Sequence, residues 1–193
     1  RDNEIFEANY DFQKIKTAYV WKTIADPFIG KYSFLKVNSG VLKSDDTLYD
    51  VQRESEVRLG KLYIMTGNKS QEVPELFAGD IGALAKLGDV YTGDSLSPKA
   101  TPIAFPKAAI STPYTVKRYR AVKKGDEDKV ASSLSKLAAE DTTFTSVLDA
   151  ANHQSLIYGI GEQQLEVIKS KLNERYKVDI ELLEPKVAFR ETI

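Results

Sequence analysis

The sequence predicts two consecutive domains of different class, a β-barrel and then an α+β domain in the ferredoxin-like β-α-β-β-α-β order. The barrel is predicted by short alternating segments separated by glycine-containing turns, with no helix-length periodic segment before about residue 105. The second domain is predicted because two amphipathic helical patterns alternate with strand patterns beyond Pro98, Pro102 and Pro106. A chain of 193 residues is long enough to bury both cores.

The pattern divides the chain into five segments. We expect a tail or linker over 1–16, the barrel over 17–101, a linker over 102–108, the ferredoxin-like domain over 109–184 and a C-terminal lead-in over 185–193. Prolines at the junction suit a stiff, extended linker. Because the chain begins with arginine, we expect it to be an excised part of a longer protein.

The barrel is expected to open with three strands joined by two turns over 17–50. Side chains alternate without interruption from Tyr19 to Ile24, a β-branched and aromatic run. Asp26-Pro27 ends this strand because proline has no N–H to donate, and Gly30 permits the reversal. A second alternation runs from Tyr32 to Val37, and Asn38-Ser39-Gly40 is expected to form the next turn.

The rest of the barrel is expected to contain two longer strands, Glu56 to Met65 and Ile81 to Leu87. The polar stretch from Thr66 to Glu75 is interpreted as their connection. Gly79-Asp80 and Gly93-Asp94 are interpreted as turns that open short apolar segments. Six or seven such strands favour a closed or nearly closed barrel, which leaves few strand edges exposed.

The second domain follows from alternating helix and strand patterns. In order, these are an extended segment over 109–117, a helix over 126–140, strands over 143–148 and 155–158, a helix over 162–176 and a strand over 178–183. Asp126 can cap the first helix, and Val130, Leu134 and Leu137 fall on one of its faces. This order places both helices on one face of a four-stranded sheet.

The residue types exclude most catalytic and metal-binding chemistry. There is no cysteine, and the single histidine, His153, is predicted to be a solvated residue of a hairpin turn. No phosphate-binding G-x-x-x-x-G-K-[ST] motif occurs. Gly159-Ile160-Gly161 precedes a helix and could meet a phosphate, but tight-turn packing is the favoured interpretation. We therefore expect no catalytic, cofactor-binding or metal-binding residues in this chain. Separately, no apolar run approaches the ~20 residues that are needed to cross a bilayer.

Basic residues are the more informative signal. The net charge of −1 does not indicate nucleic-acid binding, so any such prediction depends on local clusters of basic residues. The predicted RNA-contact residues are Lys31, Arg53, Arg58, Lys61, Lys117, Arg118, Arg120, Lys123 and Lys124. The last five are expected to crowd the loop that leads into the first helix, where they can neutralise phosphates.

Several motifs give the chain a family resemblance. In the barrel these are Asp26-Pro27-Phe28-Ile29-Gly30-Lys31, Phe34-Leu35-Lys36-Val37, Ser39-Gly40 and Leu42-Lys43. In the second half they are Ala109-Ile110-Ser111, Asp126-Glu127-Asp128-Lys129, Lys136-Leu137-Ala138, Tyr158-Gly159-Ile160-Gly161-Glu162 and 185–193. Together they resemble the second and third domains of elongation factor G, the ribosomal translocation GTPase, and the lead-in to its fourth domain.

Two departures bear on the subfamily. The family usually has Gly-Met-Gly-Glu-Leu-His-Leu-Glu, and this chain has Gln163-Gln164 in place of Leu-His. The family's Glu-Asp-Pro-Thr-Phe is here Glu140-Asp141-Thr142-Thr143-Phe144, without the proline. A divergent paralogue and a ribosomal protection protein of the tetracycline-resistance type therefore stay open beside the housekeeping factor.

The resemblance implies a function for the parent protein. GTP and Mg²⁺ would be bound in a preceding domain outside this chain, so the chain alone should hydrolyse nothing. The barrel would dock on ribosomal RNA and small-subunit proteins and contact the parent's GTPase domain. Gly159, Gly161, Glu162 and Gln164 would relay nucleotide state to the later domains. The protein would be a cytoplasmic monomer that does not contact membranes.

Two other functional classes stay open. A free-standing RNA-binding module would stack single strands on aromatic side chains of an exposed sheet face, for which Tyr158 is available. A purely structural interaction domain would bind neither ribosomes nor RNA.

Overall fold

The computed structural model describes residues 6–26, 30–67, 69–85 and 87–187. The predicted turn residues Pro27-Phe28-Ile29 lie outside this part. The chain divides into two compact units, Arg1–Ala108 and Ala109–Ile193. No helix in the described ranges has the length and apolar character needed to cross a membrane.

The first unit is built from antiparallel strands. They are β1 (Thr17–Asp26), β2 (Gly30–Ser39), β3 (Val41–Lys43), β4 (Thr47–Asp50), β5 (Ser55–Arg58), β6 (Leu62–Thr66), β7 (Lys69–Val73), β8 (Glu75–Phe77), β9 (Ile81–Ala85) and β10 (Ser95–Ser97). Eight of them form one sheet in the order β5-β4-β10-β1-β2-β9-β6-β7, and β3 pairs with β8. This is the expected barrel.

The barrel core follows from alternation along the strands. In β2, Leu35 and Val37 are fully buried while Phe34 and Lys36 stay partly exposed, as the sequence predicts. Leucines from the other strands complete the core, among them Leu42, Leu62, Leu76, Leu84 and Leu96, all with no exposed surface. Burying such side chains is the main source of barrel stability.

The opening stretch differs from the prediction in two respects. It contains four strands instead of three, because Gly40 (φ +72°) leads directly into β3 and Asp45 (φ +65°) turns the chain before β4. The alternation in β1 is also interrupted. Val20 pairs with Leu35 but Lys22 with Phe34, so Trp21 is the extra residue of a β-bulge.

Two further predictions in the barrel are wrong. The expected strand over 56–65 is divided into β5 and β6, because Gly60 adopts φ +65° and turns the chain between them. The polar connection over 66–75 contains β7, which pairs with β6 along its whole length. Its side chains are mostly exposed and it ends the sheet order, where polar residues are tolerated.

The segment before β1 packs against the barrel. Gly40 N–H donates to the Asp11 carbonyl (2.8 Å), and Ser39 Oγ donates to the Ile15 carbonyl (2.7 Å). The Phe12 ring meets Phe77 edge to face, with centroids 5.8 Å apart. Residues 6–16 are therefore attached to the β2–β3 corner by hydrogen bonds and a ring contact.

The second unit has the expected β-α-β-β-α-β order. Its elements are β11 (Thr115–Ala121), α1 (Glu127–Glu140), β12 (Thr145–Asp149), β13 (Gln154–Gly159), α2 (Glu162–Lys171) with a π-helical turn over Leu172–Tyr176, and β14 (Ile180–Leu183). The sheet order is β12-β13-β11-β14, and all pairs are antiparallel. The ferredoxin-like prediction is confirmed.

The helices pack as their stripes predict. Val130, Leu134 and Leu137 of α1 and Leu165 and Ile168 of α2 are buried in one cluster. The predicted cap is wrong in detail, since the Asp126 side chain makes no capping hydrogen bond. Glu127 instead accepts a hydrogen bond from Gly125 N–H (2.8 Å).

Candidate functional site

The predicted basic loop of the second unit is mostly a strand. Lys117, Arg118 and Arg120 lie in β11, which stays paired with β13 and β14 along this stretch. Only Lys123 and Lys124 lie in the loop before α1, where both are exposed. Strand geometry therefore separates a cluster that is contiguous in the sequence.

Five of the nine predicted cations pair with a carboxylate: Arg53 with the buried Asp94 (3.4 Å), and the other four with exposed carboxylates. The exposed pairs are Arg58–Asp45 (3.1 Å), Lys61–Glu72 (2.8 Å), Arg120–Glu181 (2.6 Å) and Lys117 with both Glu162 (3.2 Å) and Glu184 (2.5 Å). A phosphate would have to compete with these exposed partners, so those four cations are weaker candidates for RNA contact.

Lys31 and Arg53 are brought together on one aromatic ring. Lys31 Nζ and Arg53 Cζ each lie 4.3 Å from the centroid of Tyr91, a distance typical of cation–π contacts. Lys31 Nζ also donates to the Gly88 carbonyl (2.9 Å). We call Lys31, Arg53 and Tyr91 the Tyr91 cluster.

Partial burial changes the pKa of the Lys31 ammonium. Burial lowers the pKa of Lys31, with a smaller lowering contribution from Arg53, and the carboxylates of Asp89 and Asp94 oppose the change. The ammonium has thus given up part of its hydration. An incoming phosphate would meet a cation that is already partly desolvated and held in place.

Buried carboxyl groups support the Tyr91 cluster from inside. Asp94 has no exposed surface, accepts from Tyr91 N–H (2.8 Å) and Arg53 Nε (3.4 Å), and lies 3.8 Å from Lys107 Nζ. Asp50, also fully buried, accepts from Arg53 N–H (3.1 Å). Asp94 therefore positions two members of the cluster at once.

Asp50 and Asp94 influence each other. Burial raises the pKa of Asp50, and the nearby Asp94 carboxyl raises it further against opposing backbone hydrogen bonds from Arg53 and Gln52. Sequence reasoning missed Asp50, Tyr91 and Asp94. The Gly93-Asp94 dipeptide carried only a turn signal.

The raised pKa of Asp50 predicts a pH-dependent barrel. A folded-state pKa above the unfolded value contributes stability below the unfolded pKa and loses it as pH rises through the folded one. Asp50→Asn keeps an oxygen for the backbone N–H groups but cannot ionise. We expect wild-type unfolding free energy to fall relative to the variant as pH rises above about 4, where an ordinary aspartate ionises. Urea unfolding across pH measures this; parallel pH profiles would contradict it.

Two of the four predicted relay residues, Gly159 and Gln164, lie against each other at the start of α2. Gln164 Oε1 accepts from Ile160 N–H (2.7 Å), and its Nε2 donates to Thr143 Oγ1 (2.6 Å) and Asp141 Oδ2 (3.2 Å). We call Asp141, Thr143, Gly159, Ile160 and Gln164 the Gln164 junction. It joins both places where the sequence departs from the family pattern.

Gly159 has a steric role in this junction. A Cβ there would lie 2.8 Å from both Gln164 Oε1 and Leu165 Cδ2, which confirms tight packing at this glycine. Gly161 precedes α2 with an extended φ of −168°, and nothing lies within 4 Å of an added Cβ. Tight packing therefore applies to Gly159 alone.

The Asp141 carboxylate anchors the junction. Burial alone would raise the pKa of Asp141, but hydrogen bonds from the Thr143 hydroxyl and N–H and from the Gln164 amide outweigh it and lower the pKa. The group is thus a charged acceptor at neutral pH.

The segment after β14 returns across the sheet. Gln154 donates to the Lys186 carbonyl (3.0 Å) and accepts from Lys186 N–H (2.8 Å). Because β11 lies between β13 and β14, this segment crosses β11 to reach β13. Lys117 also pairs with Glu184, so Lys117 connects the exit segment to Glu162 at the start of α2.

His153 is exposed in the turn between β12 and β13, with φ +47°, as predicted. Within the described ranges, no group of three or more histidine, cysteine or acidic residues is arranged to hold a metal ion.

Comparisons with known proteins agree with the fold. The sequence model of elongation factor G domain 2 matches residues 16–99, and that of elongation factor G domain III matches residues 110–184. Elongation factor G of Ruegeria pomeroyi is 36% identical over 173 residues, which covers 90% of this chain. A crystal structure of a Thermus thermophilus protein superposes with a TM-score of 0.80 at 29% identity over 90% of the chain.

These relatives are much longer than this chain. The match spans 24% of the Ruegeria protein and 26% of the Thermus chain.

Proposed function

The chain belongs to the elongation factor G family and carries its second and third domains, and from this premise we propose that it is the ribosome-docking and relay part of a translocation GTPase. Membership supports a role in translation elongation. In the proposal, the barrel holds the factor on small-subunit ribosomal RNA and proteins. The ferredoxin-like domain then passes the nucleotide state to the domains that follow.

The observation that carries the docking role is the Tyr91 cluster. Two cations share one ring, and the buried Asp94 fixes both the ring's backbone and the guanidinium. An arginine held in this way can donate two parallel hydrogen bonds to a phosphate without first losing rotamer freedom. Phosphate contacts of this kind position a protein on RNA regardless of sequence.

The relay role is supported by the connections of α2. Its first residue, Glu162, reaches the exit segment through Lys117, and Gln164 ties the helix start to the end of α1 through Asp141. A displacement of α2 would therefore act on residues 184–187. Lys117→Met should speed amide hydrogen exchange in 184–187; unchanged exchange there would count against the relay.

GTP and Mg²⁺ belong to the parent's GTPase domain in this proposal, and the cytoplasm is its site of action as a monomer. No residue of this chain is assigned to hydrolysis, because its sequence has no phosphate-binding loop. A GTPase rate that persists in pure chain after every contaminant is removed would contradict this part.

The docking role is tested by co-sedimentation of the chain with ribosomes. We expect binding that weakens steeply as salt rises, because each neutralised phosphate releases counterions. Binding that is indifferent to salt, or absent at low salt, would contradict phosphate contact. The same assay should separate the translocase and protection-factor alternatives from a purely structural domain, which would stay in the supernatant.

A free-standing RNA-binding module is the weaker alternative. Its stacking surface would be the sheet face that carries Tyr158 and Leu156, since these residues alternate with Ile157 of the core. Leu156 is only 7% exposed, and the segment held by Gln154 crosses this sheet. If that face binds RNA, Tyr158→Ala should abolish binding to short single-stranded RNA; the docking proposal expects no change.

A further inference from the structure

An aromatic groove lies on the outer face of the barrel, and none of the predicted contact residues lines it. Its cavity of about 480 Å³ is lined by Tyr19, Trp21, Lys36, Asn38, Ile81, Phe105 and Pro106. Trp21 is 43% and Ile81 is 55% exposed. A cavity of this size falls within the range of small-ligand sites.

Two β-bulges in the β1–β2 ladder aim side chains into this groove. The register changes between Val20 and Lys22, which leaves Trp21 unpaired. It also changes where Ser39 pairs with Thr17 and Val37 with Ala18, which leaves Asn38 as the extra residue of β2. Bulges redirect side chains and are frequent beside functional sites. Both bulged residues line the same groove.

The walls of the groove are fixed and aromatic. Trp21 meets Phe34 edge to face at 5.9 Å, and Tyr19 meets Phe105 at 6.3 Å. The Phe105 N–H donates to Ser95 Oγ (2.9 Å), so the segment after the barrel is held against it. These contacts restrain the rings, and an exposed ring such as that of Trp21 can stack on a flat π system.

Two polar side chains in an otherwise apolar groove, Lys36 and Asn38, favour a nucleotide over an apolar peptide. Lys36 Nζ is held at the rim by the Tyr10 hydroxyl (2.7 Å) and ring, which leaves donors for an anion. Among the described residues, no hydrogen bond to the Asn38 side chain is found, and no carboxylate lines the groove. The charge thus complements a phosphate, and the Asn38 amide can donate to and accept from a base edge.

We propose that this groove binds an unpaired RNA nucleotide, whose base stacks against Trp21 and Phe105 while Lys36 contacts its phosphate and Asn38 its edge. Single-stranded bases stack on aromatic side chains in this way. The groove adjoins the Tyr91 cluster, because Lys107 follows Pro106 and lies 3.8 Å from Asp94 Oδ1. The inference rests on the proposed function only for the ribosomal origin of the RNA.

The test uses Trp21, the single tryptophan of the chain, as a fluorescent reporter. Short single-stranded oligouridylate and oligoadenylate should quench its emission saturably, and a duplex of the same nucleotides should not. Phe105→Ala should weaken the affinity about tenfold, in line with the loss of one stacked base. Ile64→Ala removes an exposed apolar side chain elsewhere on the barrel, in β6, and should change nothing.

Three quenching results would overturn the groove proposal: no quenching, equal quenching by duplex, or saturable quenching by an apolar peptide but not by RNA. If Phe105→Ala fails to fold by circular dichroism, Ile81→Ala replaces it, because that side chain is mostly exposed. Unweakened affinity in the folded variant also overturns it. Ribosome binding without oligonucleotide quenching rejects the groove proposal alone. Oligonucleotide quenching without ribosome binding rejects only the docking proposal.

Discussion

Gly40→Ala is expected to destabilise the barrel by about 3 kcal/mol. Gly40 has φ +72°, and a Cβ there would lie 2.8 Å from the Lys14 carbonyl oxygen and from Lys16 Cα. Backbone atoms cannot rotate away as a side chain can, so left-handed strain and overpacking add. Urea unfolding followed by Trp21 fluorescence reports the first unit selectively, because the second unit contains no tryptophan.

Gly60→Ala is the matched control. Gly60 has nearly the same φ, +65°, but nothing lies within 4 Å of an added Cβ. Gly60→Ala should therefore lower the unfolding free energy only by the left-handed strain, about 1 kcal/mol. If the two variants lose equal stability, residues 6–16 do not pack against the β2–β3 corner.

Arg53→Gln is expected to weaken ribosome binding by roughly 10- to 150-fold. The substitution removes a guanidinium that is fixed by Asp94 and Tyr91, and a charge-assisted contact of this kind contributes roughly 1.5–3 kcal/mol. Co-sedimentation at low salt measures the loss, together with a shallower dependence on salt.

Arg58→Gln is the comparison for this variant. Arg58 was predicted from the sequence alongside Arg53, but it is highly exposed and paired with Asp45. Its loss should change ribosome affinity little. If the Arg58 variant weakens binding as much as the Arg53 variant, affinity depends on the overall charge of the barrel and not on the Tyr91 cluster.

The fold was largely predictable because its signals are local. The alternation in β2 and the stripes of α1 and α2 are set by side-chain burial, and all three elements were predicted close to where they occur. The bulge at Trp21 could not be predicted from the sequence, because it depends on how β1 pairs with β2. The polar strand β7 was missed for the same reason.

The candidate site was predictable only in part. Lys31 and Arg53 were selected for charge, but the sequence could not show that they meet on Tyr91. The buried Asp94 was interpreted as a turn residue, since most aspartates in Gly-Asp turns face solvent. In the second unit, Gln164 stood out as a departure from the family pattern, whereas its bonds to Thr143 and Asp141 needed the fold.

The docking claim is tested most directly by directed hydroxyl-radical cleavage of ribosomal RNA. The chain has no cysteine, so Asp89→Cys gives a single tethering point for an iron chelate beside the Tyr91 cluster. We expect strand breaks at one localised position of the small-subunit RNA, and none there from a chelate at Lys99→Cys. Equal cleavage from both positions, or cleavage confined to the large subunit, would contradict docking through the Tyr91 cluster.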